Sequence, residues 1–150
     1  MNFQPRNPDF EARVRASFSR QAAMALIGAR LTRVEAGRVE IELPVHDDLG
    51  QQHGFVHGGV VGMIADSAGG YAAFTLMPAD SSVLTIEYKM NMLAPAEGER
   101  LIARAEVLKP GRSLSVVRAD VWALRGEGET RVAAMQQTLM VMHGMADERI

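Results

Sequence analysis

Val60-Val-Gly-Met-Ile-Ala-Asp66-Ser-Ala-Gly-Gly-Tyr71-Ala-Ala-Phe-Thr-Leu-Met77 is the longest apolar stretch of the chain. Its length and composition predict a helix over residues 60–77, ended by Pro78 and the Asp80-Ser81-Ser82 cluster. A helix that is apolar nearly all round must be covered on most of its sides. Asp66 interrupts it, which favours a buried helix over a membrane span.

The flanking segments have a different period. Arg38-Val-Glu-Ile-Glu-Leu-Pro-Val45 puts Val39, Ile41, Leu43 and Val45 on one face, the alternation of a strand. The Ala36-Gly37 turn before it makes residues 25–34 the preceding hairpin arm. A polar loop, His46 to Val56, leads to the helix. Beyond the helix, residues 82–94 alternate, with Leu84, Ile86, Tyr88, Met90 and Met92 on one face. Residues 100–109 and 114–124 read as strands joined by Pro110-Gly111-Arg112-Ser113. Gly126-Glu-Gly-Glu129 is a further turn, and residues 131–143 are the last strand. At the start, Pro8-Asp9 opens a helix running to about Met24, with Phe10, Val14 and Phe18 on one face.

This order predicts one α+β domain over residues 1–150. A curved antiparallel sheet of about six strands wraps around one central helix, and an N-terminal helix precedes it. Such a sheet has two edges, and edges are association sites unless blunted. Glu87 and Lys89 partly protect the strand at 82–94, yet edge pairing still offers a route to a dimer.

Composition narrows the function. The chain has 150 residues, 47% of them apolar and only 5% aromatic, so its core is aliphatic, with ten methionines as adaptable filling. A net charge of −2 argues against nucleic acid and against an anionic membrane surface as partners. The absence of cysteine removes disulfides, thiolate zinc sites and a cysteine nucleophile. The first twenty residues contain no continuous apolar core of the signal-peptide kind. The expectation is therefore a cytoplasmic protein.

The densest cluster of chemistry-bearing residues runs from Gln51 to Asp66. His57-Gly58-Gly59 stands where the loop becomes the helix. The first backbone N–H groups of a helix lack internal partners, and glycine lets another molecule approach them closely. Those groups and the helix dipole can receive an anion or a developing oxyanion, or the glycines can simply start the helix. Asp66 lies among Met63, Ile64, Ala65 and Ala68. A carboxylate in apolar surroundings is either a reactive group or a structural one bonded nearby. Gly58 and Asp66 are eight residues apart. At about 1.5 Å per residue that is roughly 12 Å, too far for both to meet one carbonyl. If they act together they come from different chains, across a two-fold axis.

The pattern Gln51…His57-Gly58-Gly59…Asp66 resembles the signature of hotdog-fold acyl-CoA thioesterases, above all the subgroup of phenylacetate-pathway thioesterases. That subgroup carries an Asn, then His-Gly-Gly six residues on, then an Asp nine residues after the His. The resemblance continues through Leu84-Thr-Ile-Glu-Tyr-Lys-Met-Asn-Met-Leu-Ala-Pro-Ala96 and Val107-Leu-Lys-Pro-Gly-Arg-Ser-Leu114, so it covers roughly residues 38–143. It implies hydrolysis of an acyl-CoA thioester without a metal or cofactor. The Gly58 N–H would polarise the carbonyl, with Gly59 beside it. Asp66 of the partner chain would be general base or nucleophile. Thr85 would help to hold the water, Gln51 would stand near the carbonyl and His57 would orient the loop. Lys109 and Arg112 either meet the phosphates of coenzyme A or are solvated turn charges. Phe55, with Met63, Tyr71 and Phe74, would line the acyl pocket. A homodimer, doubled into a dimer of dimers, would complete the sites.

Two departures stand out. Gln51 replaces the usual Asn and is one methylene longer. Thr85 shares a face with Glu87 and Lys89, opposite the apolar residues expected to meet the helix, unless a bulge intervenes. Other motifs are weaker. His53 and His57 have a metal-compatible spacing, but the glycines around them oppose a helix there. Ala65-Asp-Ser-Ala-Gly69 lacks the first glycine of a nucleophile elbow, which leaves Ser67 to packing or to the helix backbone. Trp122 reads as core or interface. Two other functions fit the same residues: an acyl-CoA binding protein without turnover, and a hydratase or dehydratase pairing a carboxylate with His57.

Overall fold

The computed structural model describes residues 3–145 and 147. Three α-helices and six strands follow in the order α1 (Phe10–Ser19), α2 (Ala22–Ile27), β1 (Arg30–Glu35), β2 (Arg38–Pro44), α3 (Gly58–Phe74), β3 (Ser81–Met92), β4 (Arg100–Lys109), β5 (Leu114–Arg125) and β6 (Gly128–His143). All strand pairs are antiparallel, and the sheet order is β1-β2-β4-β5-β6-β3. The apolar helix α3 packs on β2, β4 and β5 and reaches β3 and β6. The fold is thus the predicted sheet wrapped around one helix. The alternation of β2 holds, since Val39, Ile41 and Leu43 are fully buried.

The N-terminal region differs from the single helix expected up to Met24. The chain leaves α1 at Arg20, turns through extended Gln21, and resumes as α2, which ends at Gly28 in the left-handed region, φ 76°. Packing explains the break. Val14 and Met24 are both buried. In one straight helix, ten residues at about 100° each would leave Met24 roughly 80° off the face of Val14. Residues 25–27, expected in the hairpin arm, belong to α2 instead.

Arg13 ties α1 to the end of α3. Its guanidinium donates to the carbonyls of Phe74 (2.9 Å), Met77 (3.0 Å) and Pro78 (2.5 Å) and lies 3.9 Å over the Phe74 ring. These carbonyls lie at the last residue of α3 and in the turn just beyond it, where a cation suits the negative end of the dipole. Burial lowers the Arg13 pKa from its usual value, against a smaller opposing effect of Asp147.

Strand β3 carries the bulge that Thr85 required. Val83 and Thr85 pair with Val141 and Leu139; past the irregularity Tyr88, Met90 and Met92 pair with Gln137, Met135 and Ala133. Directly opposed residues share a face, and these β6 partners are buried. The inward positions of β3 are therefore 83, 85, 88, 90 and 92, with Ile86 as the extra residue. Leu84 and Ile86, expected on the helix side, leave the inward set and are exposed. β3 is also an edge strand, so Tyr88 and Met92 remain about half exposed although they face inward.

Candidate functional site

Asp66 sits in the middle of α3, half-buried. Its Oδ1 accepts hydrogen bonds from the Thr85 hydroxyl (2.8 Å) and from the side-chain amide of Gln137 (3.2 Å). Among the described residues, no hydrogen bond reaches Oδ2. The bulge in β3 turns Thr85 toward the helix, and the alternation of β6 turns Gln137 there. One carboxylate oxygen is thus held from two strands.

An open cavity of about 800 Å³ borders Asp66 and Thr85. α1 and the α1–α2 break contribute Ser17, Arg20 and Gln21; α3 adds Ser67 and Tyr71. The Ser67 hydroxyl donates to Gln21 Oε1 at 3.2 Å, and the Ser17 and Tyr71 hydroxyls are 3.3 Å apart. Burial pushes the Tyr71 phenol above its usual pKa, and the bond to Ser17 opposes this. Arg20 and Asp147 line the cavity as an ion pair at 3.0 Å. Ser67, expected to pack or bond to its own helix, instead forms part of this wall.

The glycine start lies at the other end of the same arc of residues. His57 is the N-cap of α3, and its Nδ1 accepts the Gly59 N–H at 2.9 Å. A histidine nitrogen here does the work of a capping oxygen, and its accepting role places the ring proton on Nε2. Gly59 N–H is therefore engaged, while Gly58 N–H donates to no acceptor among the described residues. A Cβ built on Gly58 would meet nothing within 4 Å, so this glycine is not crowded on its side-chain face. Gln51 closes the preceding loop: its N–H donates to Phe55 O (2.9 Å), its carbonyl accepts from Gly54 N (3.0 Å), and its side-chain Oε1 accepts from His53 N. Val56 N–H, bonded to Ala96 O at 2.8 Å, anchors the loop to the rest of the domain.

Within one chain the predicted residues fall into three groups. Asp66 and Thr85 touch. Gln51, Phe55, His57, Gly58 and Gly59 cluster at the helix start and do not line the cavity beside Asp66. Lys109 and Arg112 are exposed at the β4–β5 turn, where Arg112 O accepts from His143 Nε2 at 3.0 Å. Gly58 and Asp66 are the first and ninth residues of α3, which keeps them roughly 12 Å apart along the axis. Of the side chains expected in an acyl pocket, Tyr71 lines the cavity, whereas Phe74 is fully buried beneath Arg13. Trp122 is not in the core: it is partly exposed, with Arg104 and Arg131 over its ring at 5.4 and 5.9 Å. Among the described residues, no three His, Asp or Glu side chains converge as a metal site. No described helix is long and apolar enough to cross a membrane.

Gln137, Gln21 and Ser17 were not foreseen. Only Gln137 left a trace in the sequence. It is the single polar residue in the inward series Ala133, Met135, Gln137, Leu139, Val141, and a lone polar side chain in such a series asks for a partner.

Residues 53–130 match the family model of the Thioesterase superfamily. The crystal structure of a thioesterase family protein from Silicibacter pomeroyi superposes with a TM-score of 0.89 at 50% identity, covering 90% of this chain and 99% of that one. The 1,4-dihydroxy-2-naphthoyl-CoA hydrolase of Listeria monocytogenes is 30% identical over 104 residues, 69% of this chain and 80% of its own length. The PaaI protein of the Escherichia coli phenylacetic acid degradation operon shares the fold, with a TM-score of 0.81 at 18% identity over 91% of this chain and 95% of that one.

Proposed function

This chain belongs to the thioesterase superfamily and is a thioester hydrolase, and from that premise we propose that it cleaves acyl-CoA at sites shared between two copies of the chain. One observation carries the reading. The unpaired Gly58 N–H and the unpaired Oδ2 of Asp66 are on one helix, too far apart to serve one carbonyl. Two α3 helices packed antiparallel across a two-fold axis bring the Gly58 of one copy to the Asp66 of the other, twice. The free edge of β3, with Leu84, Ile86, Tyr88 and Met92 exposed along it, suits pairing with a second copy. A dimer of dimers completes the assembly, and a mass measurement in solution tests it.

The chemistry follows from these groups. The thioester carbonyl oxygen accepts the Gly58 N–H, which stabilises the negative charge that develops there. Asp66 Oδ2 takes a proton from water as the water oxygen bonds to the carbonyl carbon, or it attacks that carbon itself. Collapse of the tetrahedral intermediate breaks the C–S bond. CoA leaves as thiolate. On the general-base route it takes the proton that Asp66 had accepted from water, and the free acid remains; on the nucleophilic route the acyl group is first held as an anhydride on Asp66, and a water then adds to it, freeing the acid and the carboxylate and supplying the proton for the thiolate. Thr85, which donates to Oδ1, keeps lone pairs with which to accept from the water. Gly59 supports the turn through His57, and Gln51 and Phe55 shape the loop beside the carbonyl. Lys109 and Arg112 supply positive charge for the phosphates of coenzyme A.

The test is thiol release across acyl-CoA chain lengths and aryl-CoA esters, with wild type and Asp66→Asn. The variant should lose about a thousandfold or more in turnover while keeping its Tm and mass. Full activity in Asp66→Asn would sink the assignment. Sharing between chains has its own readout. Co-refolding Asp66→Asn with an inactive Gly58 variant should restore about a quarter of wild-type activity, because half the dimers are mixed and each holds one intact site. No recovery would place both groups in the same chain's site.

A further inference from the structure

We propose that Gln137 is a positioning residue for the catalytic carboxylate: its buried amide holds Asp66 Oδ1 so that Oδ2 is presented to the substrate. The inference rests on the reading of Asp66 as the reacting group.

Gln137 is fully buried on β6. Its Nε2 donates to both the backbone carbonyl and Oδ1 of Asp66, each at 3.2 Å. Its Oε1 is buried with no partner among the described residues. An orphaned buried acceptor is unfavourable, and a leucine or methionine like its inward neighbours Met135 and Leu139 would avoid it. The amide thus serves its donor end. Reversing it would set Oε1 against the carbonyl and carboxylate oxygens of Asp66, acceptor facing acceptor with no proton between.

A second feature accommodates the same amide. Gly69 lies inside α3, where glycine weakens a helix and no positive φ calls for it. A Cβ at this position would fall 2.3 Å from Gln137 Oε1 and 2.6 Å from its Cδ. The missing side chain is the space in which the amide turns toward Asp66. Thr85 on β3 approaches the same Oδ1 from another strand. The two donors restrict carboxylate rotation from both sides, as a preorganised site requires. The other titratable groups lining the cavity are Arg20, Tyr71 and Asp147, and none bonds to Asp66.

Gln137→Met keeps the volume and removes the donor. One lost hydrogen bond to a charged group should lower kcat about tenfold. KM should stay within about twofold, since the amide does not touch substrate. If Gln137→Met does not fold, Gly69→Ala pushes the amide aside with Gln137 retained, and the same fall in kcat at unchanged KM is expected. A variant that loses Tm but keeps the wild-type kcat assigns Gln137 to packing and overturns the inference. Asp66→Asn is run alongside. If that variant stays active, the carboxylate assignment fails first; if it is inactive while the Gln137 and Gly69 variants keep the wild-type kcat, only the positioning role fails.

Discussion

The two ends of α3 meet the same physical problem in opposite ways. At the C-terminal end and the turn beyond it, the Arg13 guanidinium donates to the carbonyls of Phe74, Met77 and Pro78 and stacks on the Phe74 ring. At the N-terminal end, a single His57 nitrogen takes the Gly59 N–H, and the Gly58 N–H has no acceptor among the described residues. One end is covered by a cation, and the other keeps an unpaired N–H, which we propose meets the thioester carbonyl. Changes at the first should alter folding and spare chemistry; changes at the second should act mainly on chemistry.

Among changes at the two ends of α3, the largest effect is expected from Gly58→Pro. Gly58 is the first helical residue after the N-cap, the position where proline is best tolerated in a helix. His57, at φ −58° and ψ 134°, already has the extended backbone that a residue before proline prefers. Proline therefore removes the N–H and little else. Turnover should fall about 10²- to 10³-fold, the usual loss of one oxyanion donor, with the Tm unchanged or slightly raised. Wild-type turnover in a folded Gly58→Pro protein would remove this N–H from the mechanism.

The mirror experiment is Arg13→Met, which keeps an apolar stem over Phe74 and removes the cation. Losing the bonds to three carbonyls should destabilise the fold by about 2–3 kcal/mol, read as a lower midpoint in urea. Turnover per folded molecule should be unchanged. If kcat fell with stability intact, the covered end would be coupled to chemistry, and the contrast between the ends would break.

Much of this division is legible in the sequence, for physical reasons that also mark its limits. Glycines at a helix start and an aspartate inside an apolar helix violate local preference, and such violations concentrate at functional sites. The burial of Val39, Ile41 and Leu43 is readable because period-two alternation needs no partner to interpret it. The bulge in β3 is not readable. Leu84 to Met92 alternate without a fault, and only the register against β6 makes Ile86 the extra residue. The break at Gln21 is hidden likewise, since it answers to the simultaneous burial of Val14 and Met24. The cavity wall of Ser17, Gln21, Ser67 and Tyr71 arises from one helix packing on another, a relation that spacing within either helix does not encode.

The smallest and most discriminating change is at His57 itself, because it belongs to both descriptions of the N-terminal end. As an N-cap it contributes through Nδ1 to Gly59, and His57→Ala should destabilise the fold by about 1 kcal/mol. His57→Asp should return that stability, since aspartate is a preferred cap and its charge suits the helix dipole. The same charge stands next to the Gly58 N–H, where an oxyanion would form, and should repel it. Turnover is then expected to fall less than about tenfold in the alanine variant and further in the more stable aspartate variant. Stability and activity would move in opposite directions at one residue. Were alanine instead to abolish turnover in a fully folded protein, His57 would be a proton-transfer partner in the hydrolysis and not only the cap of this end of the helix.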